Sequence, residues 1–106
     1  LPIVYMTLSQ EELNTCNYKK GDTEGFVNYG LSLEGILFSC IMIENQLEGI
    51  LKMSFRSQGN FSVNNFARIY FNGGGRHNAA GGMSKESIKE TVIRFEKAIK
   101  EVANQF

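Results

Sequence analysis

The chain has 106 residues, and its 11 Lys and Arg balance 11 Asp and Glu, so the formal net charge is zero. This length fits one folded domain, and hydrophobic residues at 42% of the chain predict an ordinary packed core and exclude a disordered tail. Because a balanced charge creates no overall field that attracts a long polyanion, any nucleic-acid contact must be local, in a site for one or two phosphates.

The first third of the chain predicts one strand and two short helices. Residues 3–7 are typical of a strand. Ser9 precedes Glu12 by three residues, the spacing of a capping box, and so predicts the start of a brief helix. Residues 19–22 (Lys-Lys-Gly-Asp) predict a turn, and residues 23–31 then predict a second helix. Its inward residues would be Phe26, Val27 and Leu31.

The middle of the chain predicts the sheet. The nearly unbroken apolar run at residues 35–43 suits a central strand covered on both faces. Residues 45–49 supply a hairpin connection to an alternating strand at residues 50–57, on which Arg56 leaves the polar face. Residues 57–60 predict a loop, after which Ser62 caps a helix over residues 63–70.

The last third combines an unusual loop with a regular helix. Residues 72–82 contain five glycines, which predicts an irregular backbone turn rather than a regular element. Ser84 is then expected to cap a long final helix. Its apolar residues step by four, three, four and three and face the core: Ile88, Val92, Phe95, Ile99 and Val102. The predicted fold class is α/β, a single domain with a mixed sheet flanked by helices, a glycine-rich phosphate-binding loop and a long C-terminal helix.

The glycine-rich segment is the candidate site for chemistry. Gly73, Gly74 and Gly75 carry no Cβ, so a ligand can approach their N–H groups, and an anion is the natural guest. Arg76 and His77 follow at once and add a guanidinium and an imidazole. Without further information a plain flexible turn is an equally good interpretation. The anion-binding hypothesis depends on the amides of residues 73–75 being free.

Three segments together resemble one known family. Residues 73–82, GGGRHNAAGG, are similar to the GGGHxxAAG signature of the DHH-associated domain, the C-terminal domain of DHH-superfamily phosphoesterases. Residues 22–28, DTEGFVN, resemble its DTEGxVN segment, and residues 54–57 followed by 59–64 resemble its SxRS strand end and DVN-type helix start. The family usually has His directly after the glycines, whereas here Arg76 holds that position and His77 follows.

The resemblance implies a function for the whole chain. Residues 1–106 would be a substrate-binding domain, a C-terminal fragment of a cytoplasmic nanoRNase or pAp phosphatase, a subgroup often labelled exopolyphosphatase-related. The expected ligand is a short nucleotide such as nanoRNA, pApA or 3′-phosphoadenosine 5′-phosphate. The implied substrate contacts are Arg56, Ser57, Gly73, Gly74, Gly75, Arg76, His77 and Asn78. Either Arg76 or His77 would contact the phosphate.

Catalysis would belong to a different domain. The resemblance implies a covalently linked N-terminal DHH domain with two manganese ions, so this fragment alone should bind no cofactor and be inactive. A homodimer of the intact protein is compatible with this interpretation, and no membrane contact is expected. Asp22 and Glu24 are not at catalytic spacing and are interpreted as structural.

Two alternatives and two cysteines complete the sequence evidence. The chain would also suit an RNA- or tRNA-binding module like the C-terminal domain of alanyl-tRNA synthetase, or an interaction domain whose glycine turn is only structural. Cys16 and Cys40 lack partners at metal-ligand spacing and are interpreted as free thiols.

Overall fold

The computed structural model describes residues 2–15 and 20–106, except for the side chains of residues 20–24. In chain order the elements are β1 (Ile3–Leu8), α1 (Gln10–Thr15), α2 (Lys20–Ser32), β2 (Phe38–Asn45), β3 (Ile50–Ser57), α3 (Val63–Tyr70), β4 (Gly74–Arg76), β5 (Ala79–Ser84) and α4 (Ile88–Val102), followed by a 3₁₀ turn at Ala103–Gln105. In these residues the strands form one five-stranded sheet in the order β1-β2-β3-β5-β4. β1 and β2 are parallel, and the remaining neighbours are antiparallel. The α/β class and the mixed sheet are therefore confirmed.

One face of the sheet carries the main core. Alternate residues of β3 on this face, Leu51, Met53 and Phe55, are buried against α3 and α4. Phe38 on β2 contacts the ring of Phe95 on α4 edge-on, with ring centroids 5.9 Å apart. The core stripe predicted for the last helix is therefore confirmed.

The opposite face is covered by α2. This helix packs on β2 and β3. Gly30 of α2 lies so close to β2 that a Cβ there would come within 2.8 Å of the Ser39 Oγ. Among the described residues, the main contacts of α2 are with β2 and β3 rather than with β4 and β5.

The local signals of the sequence are mostly confirmed. Ser9 and Glu12 form the capping box: the Ser9 N–H donates to the Glu12 carboxylate at 3.0 Å, and the Glu12 N–H donates to the Ser9 hydroxyl at 3.1 Å. β3 and α3 have the predicted bounds, and the Ser62 hydroxyl caps α3 by accepting from the Asn65 N–H. β1 is also confirmed.

Two element boundaries and the place of one strand in the sheet differ from the prediction. Lys20 already belongs to α2, so the turn predicted at residues 19–22 is wrong over its described part. β2 begins at Phe38 rather than Gly35, because Gly35 turns the chain with a φ of 81°. β2 also lies beside the middle strand, which is β3.

The glycine-rich segment is regular structure. Residues 74–76 and 79–84 are strands β4 and β5. β5 pairs with β3, and β4 pairs with β5 at the edge of the sheet. The predicted irregular turn over residues 72–82 is therefore wrong. Asn72, with a φ of 50°, ends α3 in the left-handed conformation and turns the chain into β4.

The N-cap of the last helix is Ser87, not Ser84. The Ser87 hydroxyl accepts from the Glu90 N–H at 3.1 Å. Ser84 ends β5, and its hydroxyl is hydrogen-bonded to the buried Thr91 hydroxyl at 2.8 Å. Because α4 begins at Ile88, directly after Ser87, Ser84 is too far from the helix to cap it, and the structure corrects the prediction.

We expect Ser87→Ala to lower the free energy of unfolding by about 1 kcal/mol, the usual cost of losing an N-cap side chain. Ser87→Gly should cost only a few tenths of a kcal/mol, because glycine is tolerated at this position. Urea unfolding of the two variants measures both values. Equal losses in the two variants would contradict the assignment of Ser87 as the cap.

Of the two cysteines, Cys40 lies in the described part of the chain and Cys16 lies outside it. Cys40 is a free thiol with no exposed surface, and burial raises its pKa well above the ordinary value. It is therefore a core residue with little thiolate character.

Candidate functional site

Gly73, which directly precedes β4, and Gly75 within it allow the backbones of this segment and of β5 to come unusually close. A Cβ on Gly73 would lie 1.9 Å from the Gly81 carbonyl oxygen, and one on Gly75 would lie 2.6 Å from the Ala79 carbonyl oxygen. Real Cβ atoms do not approach backbone oxygens this closely. The glycines are therefore explained by the packing of β4 on β5.

The amides of the glycine run are already hydrogen-bonded. The Gly73 N–H donates to the Ala67 carbonyl at 3.1 Å, and the Gly75 N–H donates to the Asn64 Oδ1 at 3.0 Å. Gly74 pairs with Gly81 in the ladder. The amides of Gly73 and Gly75 are not free, so the expectation of a backbone cradle for an anion is wrong. A phosphate site in this region has to depend on side chains.

Two arginines are aligned across three neighbouring strands. Arg56 of β3 pairs with Ala79 of β5, and Ala79 pairs in turn with Arg76 of β4. Residues directly opposite one another project from the same face of a sheet. Two strand spacings separate the two arginine Cα atoms by about 10 Å, so both guanidiniums can reach a group lying over the Ala79 methyl.

The residues between and beside the two arginines have small side chains or none. We call it the arginine face and define it by Arg56, Arg76, Ala79 and Gly81. A Cβ on Gly81 would meet one atom within 4 Å, the Met53 carbonyl oxygen at 3.3 Å. Arg76 is exposed, and Arg56 is half-buried. Among the described residues, Ala79 between the two arginines and Gly81 beside it are therefore small.

Neither guanidinium has a carboxylate partner among the residues that the structure describes. The ion pairs found there join Lys52 to Glu48 and Arg94 to Glu86. Arg56 donates one hydrogen bond, from Nη1 to the Phe55 carbonyl at 2.9 Å. Since a guanidinium carries five N–H donors, Arg56 retains donors for a ligand. Arg56 and Arg76 are therefore two cations without an ion pair among the described side chains, in a chain of zero net charge.

The other candidate residues surround the hairpin tip. Ser57 is on the core face of β3, opposite to Arg56, and its hydroxyl donates to the Phe61 carbonyl at 2.7 Å. The Asn78 amide donates to the same hydroxyl at 2.9 Å. The His77 ring is hydrogen-bonded to the Gly59 carbonyl at 3.1 Å. Ser57 and Asn78 thus attach the tip to β3, while Arg76 rather than His77 shares a face with Arg56.

The described residues supply hydrogen-bond donors at this face, from Arg56 and Arg76. They contain no group of three or more His, Cys, Asp or Glu that could hold a metal ion. A manganese ion does not fit these residues, so we assign this domain no step that passes through a metal. The side chains of Asp22 and Glu24, which the sequence analysis interpreted as structural, lie outside the described part of the chain.

Two cavities lie away from the arginine face. One of about 290 Å³ is lined by residues of the β2–β3 turn and by residues 85–88. The other, of about 200 Å³, lies between β1 and α4. Neither cavity is lined by a residue of the arginine face.

Two features of the site were missed at the level of sequence. Asn64 lies in a segment that resembles the family, but no role was predicted for it. Ala79 was not among the predicted site residues either. Counting outward from the tip at His77 and Asn78 would have paired Ala79 with Arg76, since opposite residues of a hairpin share a face.

The architecture defines a small α/β domain with a glycine-rich edge hairpin and an arginine face. The model of the DHHA1 domain family matches residues 3–105 of the chain. The chain therefore belongs to the DHHA1 domain family, and the resemblance seen in the sequence is confirmed.

Solved structures agree with this assignment. An exopolyphosphatase-related protein from Bacteroides fragilis is 40% identical, with a TM-score of 0.88 over 95% of this chain and 29% of that one. A pGpG-specific phosphodiesterase from Vibrio cholerae is 14% identical, with a TM-score of 0.65 over 97% of this chain and 33% of that one. The C-Ala domain of Aquifex aeolicus alanyl-tRNA synthetase is 11% identical, with a TM-score of 0.63 over 91% and 88% of the two chains. The last two show the fold alone.

The chain spans less than a third of the length of the Bacteroides protein. A search of curated proteins found no match. No helix in the described ranges is long and apolar enough to cross a membrane.

Proposed function

We propose that this domain binds a phosphate of a short nucleotide on its arginine face, so that a covalently linked, manganese-dependent DHH domain can hydrolyse the substrate. The substrates covered are nanoRNA, pApA and 3′-phosphoadenosine 5′-phosphate. The observation that carries the proposal is the row of Arg56, Ala79 and Arg76 across three strands. Two guanidiniums without carboxylate partners in the described residues, separated by a methyl group, suit a phosphate that accepts hydrogen bonds from both.

Each residue of the candidate set has a defined place in this proposal. Arg56 and Arg76 donate to the phosphate. The glycines at 73–75 bring β4 close enough to β5 to place Arg76, while Ser57 and Asn78 fix the hairpin tip. His77 lies at the rim, where its ring is bonded to the Gly59 carbonyl.

Hydrolysis is assigned to the linked domain because the described residues offer recognition groups only. The contribution of this domain is to hold the phosphate in one orientation relative to the reacting centre. The Bacteroides relative supports the proposal, since it is an exopolyphosphatase-related protein of which this chain matches 29%. We extend the proposal to a cytoplasmic location, as the family resemblance implies.

The direct test is a calorimetric titration of the 106-residue chain with pApA and, separately, with tRNA. We expect saturable binding of pApA and none of tRNA. The same chain incubated with pApA and Mn²⁺ should release no AMP. Absence of pApA binding would refute the proposal, and turnover by the chain alone would refute the division of roles.

The second candidate function is an RNA- or tRNA-binding module without hydrolysis. The likeness to the C-Ala domain concerns the fold, and at 11% identity it carries no ligand with it. A zero net charge disfavours long backbone contact, because such binding requires many phosphates to be neutralised. Binding of tRNA without binding of pApA would select this alternative.

A further inference from the structure

We propose that Asn64 is a positioning residue for Arg76, a role that rests on the function proposed above. Asn64 lies in the first turn of α3, and its Oδ1 accepts the hydrogen bond from the Gly75 N–H at 3.0 Å. Gly75 directly precedes Arg76 in β4. Asn64 therefore holds the backbone from which the Arg76 side chain leaves.

The edge position of β4 makes this bond important. β4 has 3 residues and is the last strand in the sheet order, so no further strand in the described part of the chain holds its outer side. An edge strand presents unpaired backbone groups on that side. Asn64 supplies a side-chain acceptor where a neighbouring strand would otherwise supply a carbonyl.

The contact between α3 and β4 is also close in packing terms. A Cβ on Gly74 would lie 3.1 Å from the Asn64 Oδ1 and 3.3 Å from the Arg68 Cγ. β4 is thus held between β5 on one side and the side chains of α3 on the other. Loss of the Asn64 acceptor frees the outer side and allows Arg76 to move relative to Arg56. A phosphate held by both guanidiniums would then lose part of its binding.

The test compares two asparagines one position apart. Asn64→Ala removes the acceptor, whereas Asn65→Ala removes an exposed amide that has no side-chain bond to β4 among the described residues. We expect Asn64→Ala to speed hydrogen exchange of the Gly75 amide in ¹⁵N NMR and to raise the Kd for pApA about three- to tenfold. Asn65→Ala should change neither. Asn64→Asp, which keeps an oxygen acceptor, should restore slow exchange.

A double-mutant cycle separates positioning from general stability. Because Asn64 acts through Arg76, Asn64→Ala should cause no further loss of pApA affinity in an Arg76→Ala background. Faster Gly75 exchange with an unchanged Kd for pApA would overturn the positioning role while leaving the proposed function intact. Equal losses with and without Arg76 would overturn it as well. If the unmutated chain fails to bind pApA, the proposed function fails and this role fails with it.

Discussion

Arg56→Ala should weaken binding of pApA by about 1.5–3 kcal/mol, or roughly 10- to 150-fold in Kd, the range for a hydrogen bond to a charged group. The fold should remain intact, because the one hydrogen bond found for the Arg56 side chain goes to the carbonyl of the preceding residue. Arg56 is half-buried beside Ala79, so its guanidinium is partly oriented before a ligand arrives. Calorimetric titration measures the affinity, and urea unfolding measures the stability.

Two variants control for charge alone. Lys52→Ala removes a cation from the same face of β3, but Lys52 is paired with Glu48 at 3.1 Å and lies 4 positions from Arg56, so the Kd should hardly change. Arg56→Lys keeps the charge but loses the planar fork and should recover only part of the affinity. An unchanged Kd in Arg56→Ala, or an equal loss in Lys52→Ala, would remove Arg56 from the site.

The structure changes the physical basis of the phosphate recognition that we propose for this domain. The sequence favoured main-chain amides at a flexible glycine loop, but the amides of Gly73 and Gly75 are bonded to α3. The glycines contribute indirectly, because they allow β4 to pack against β5. That packing aligns Arg76 with Arg56. Recognition then depends on two side chains held by a rigid sheet rather than on a mobile loop.

Local signals explain which parts of the fold were predictable. α3 was predicted with its observed bounds because the Ser62 cap and the apolar stripe lie within the element. β3 was predicted because its alternation reflects one buried face. In both cases the residues that determine the structure are neighbours in the sequence.

The failures arise where distant residues decide. β5 is a strand because it pairs with β3, and β4 because it pairs with β5, although a run of glycines predicts little regular structure by itself. Ser84 resembles a helix cap until the buried hydroxyl of Thr91 is placed beside it. The choice between Arg76 and His77 depends in the same way on the pairing of the hairpin. The pairing of β5 with β3 and the contact between Ser84 and Thr91 join residues from different elements, and local composition does not identify them.

Gly73→Ala should be strongly destabilising, with a loss of about 3 kcal/mol in the free energy of unfolding, at the upper end of the cost of overpacking. The added Cβ would lie 1.9 Å from the Gly81 carbonyl oxygen and 2.7 Å from the Gly82 Cα. Both neighbours are backbone atoms in β5, so no side-chain rotation relieves the contact. β4 must separate from β5, and the Gly73 N–H would then lose its bond to Ala67.

Gly25→Ala is the matched control, and it should change stability in the opposite direction. Gly25 is an exposed residue within α2, and a Cβ there would meet no atom within 4 Å. Since alanine is favoured over glycine in a helix interior, we expect a gain of about 0.5–1 kcal/mol. Urea unfolding of the two variants then shows opposite signs for the same chemical change. Equal stability of Gly73→Ala and the unmutated chain would mean that β4 is not packed on β5, and the alignment of the two arginines would lose its cause.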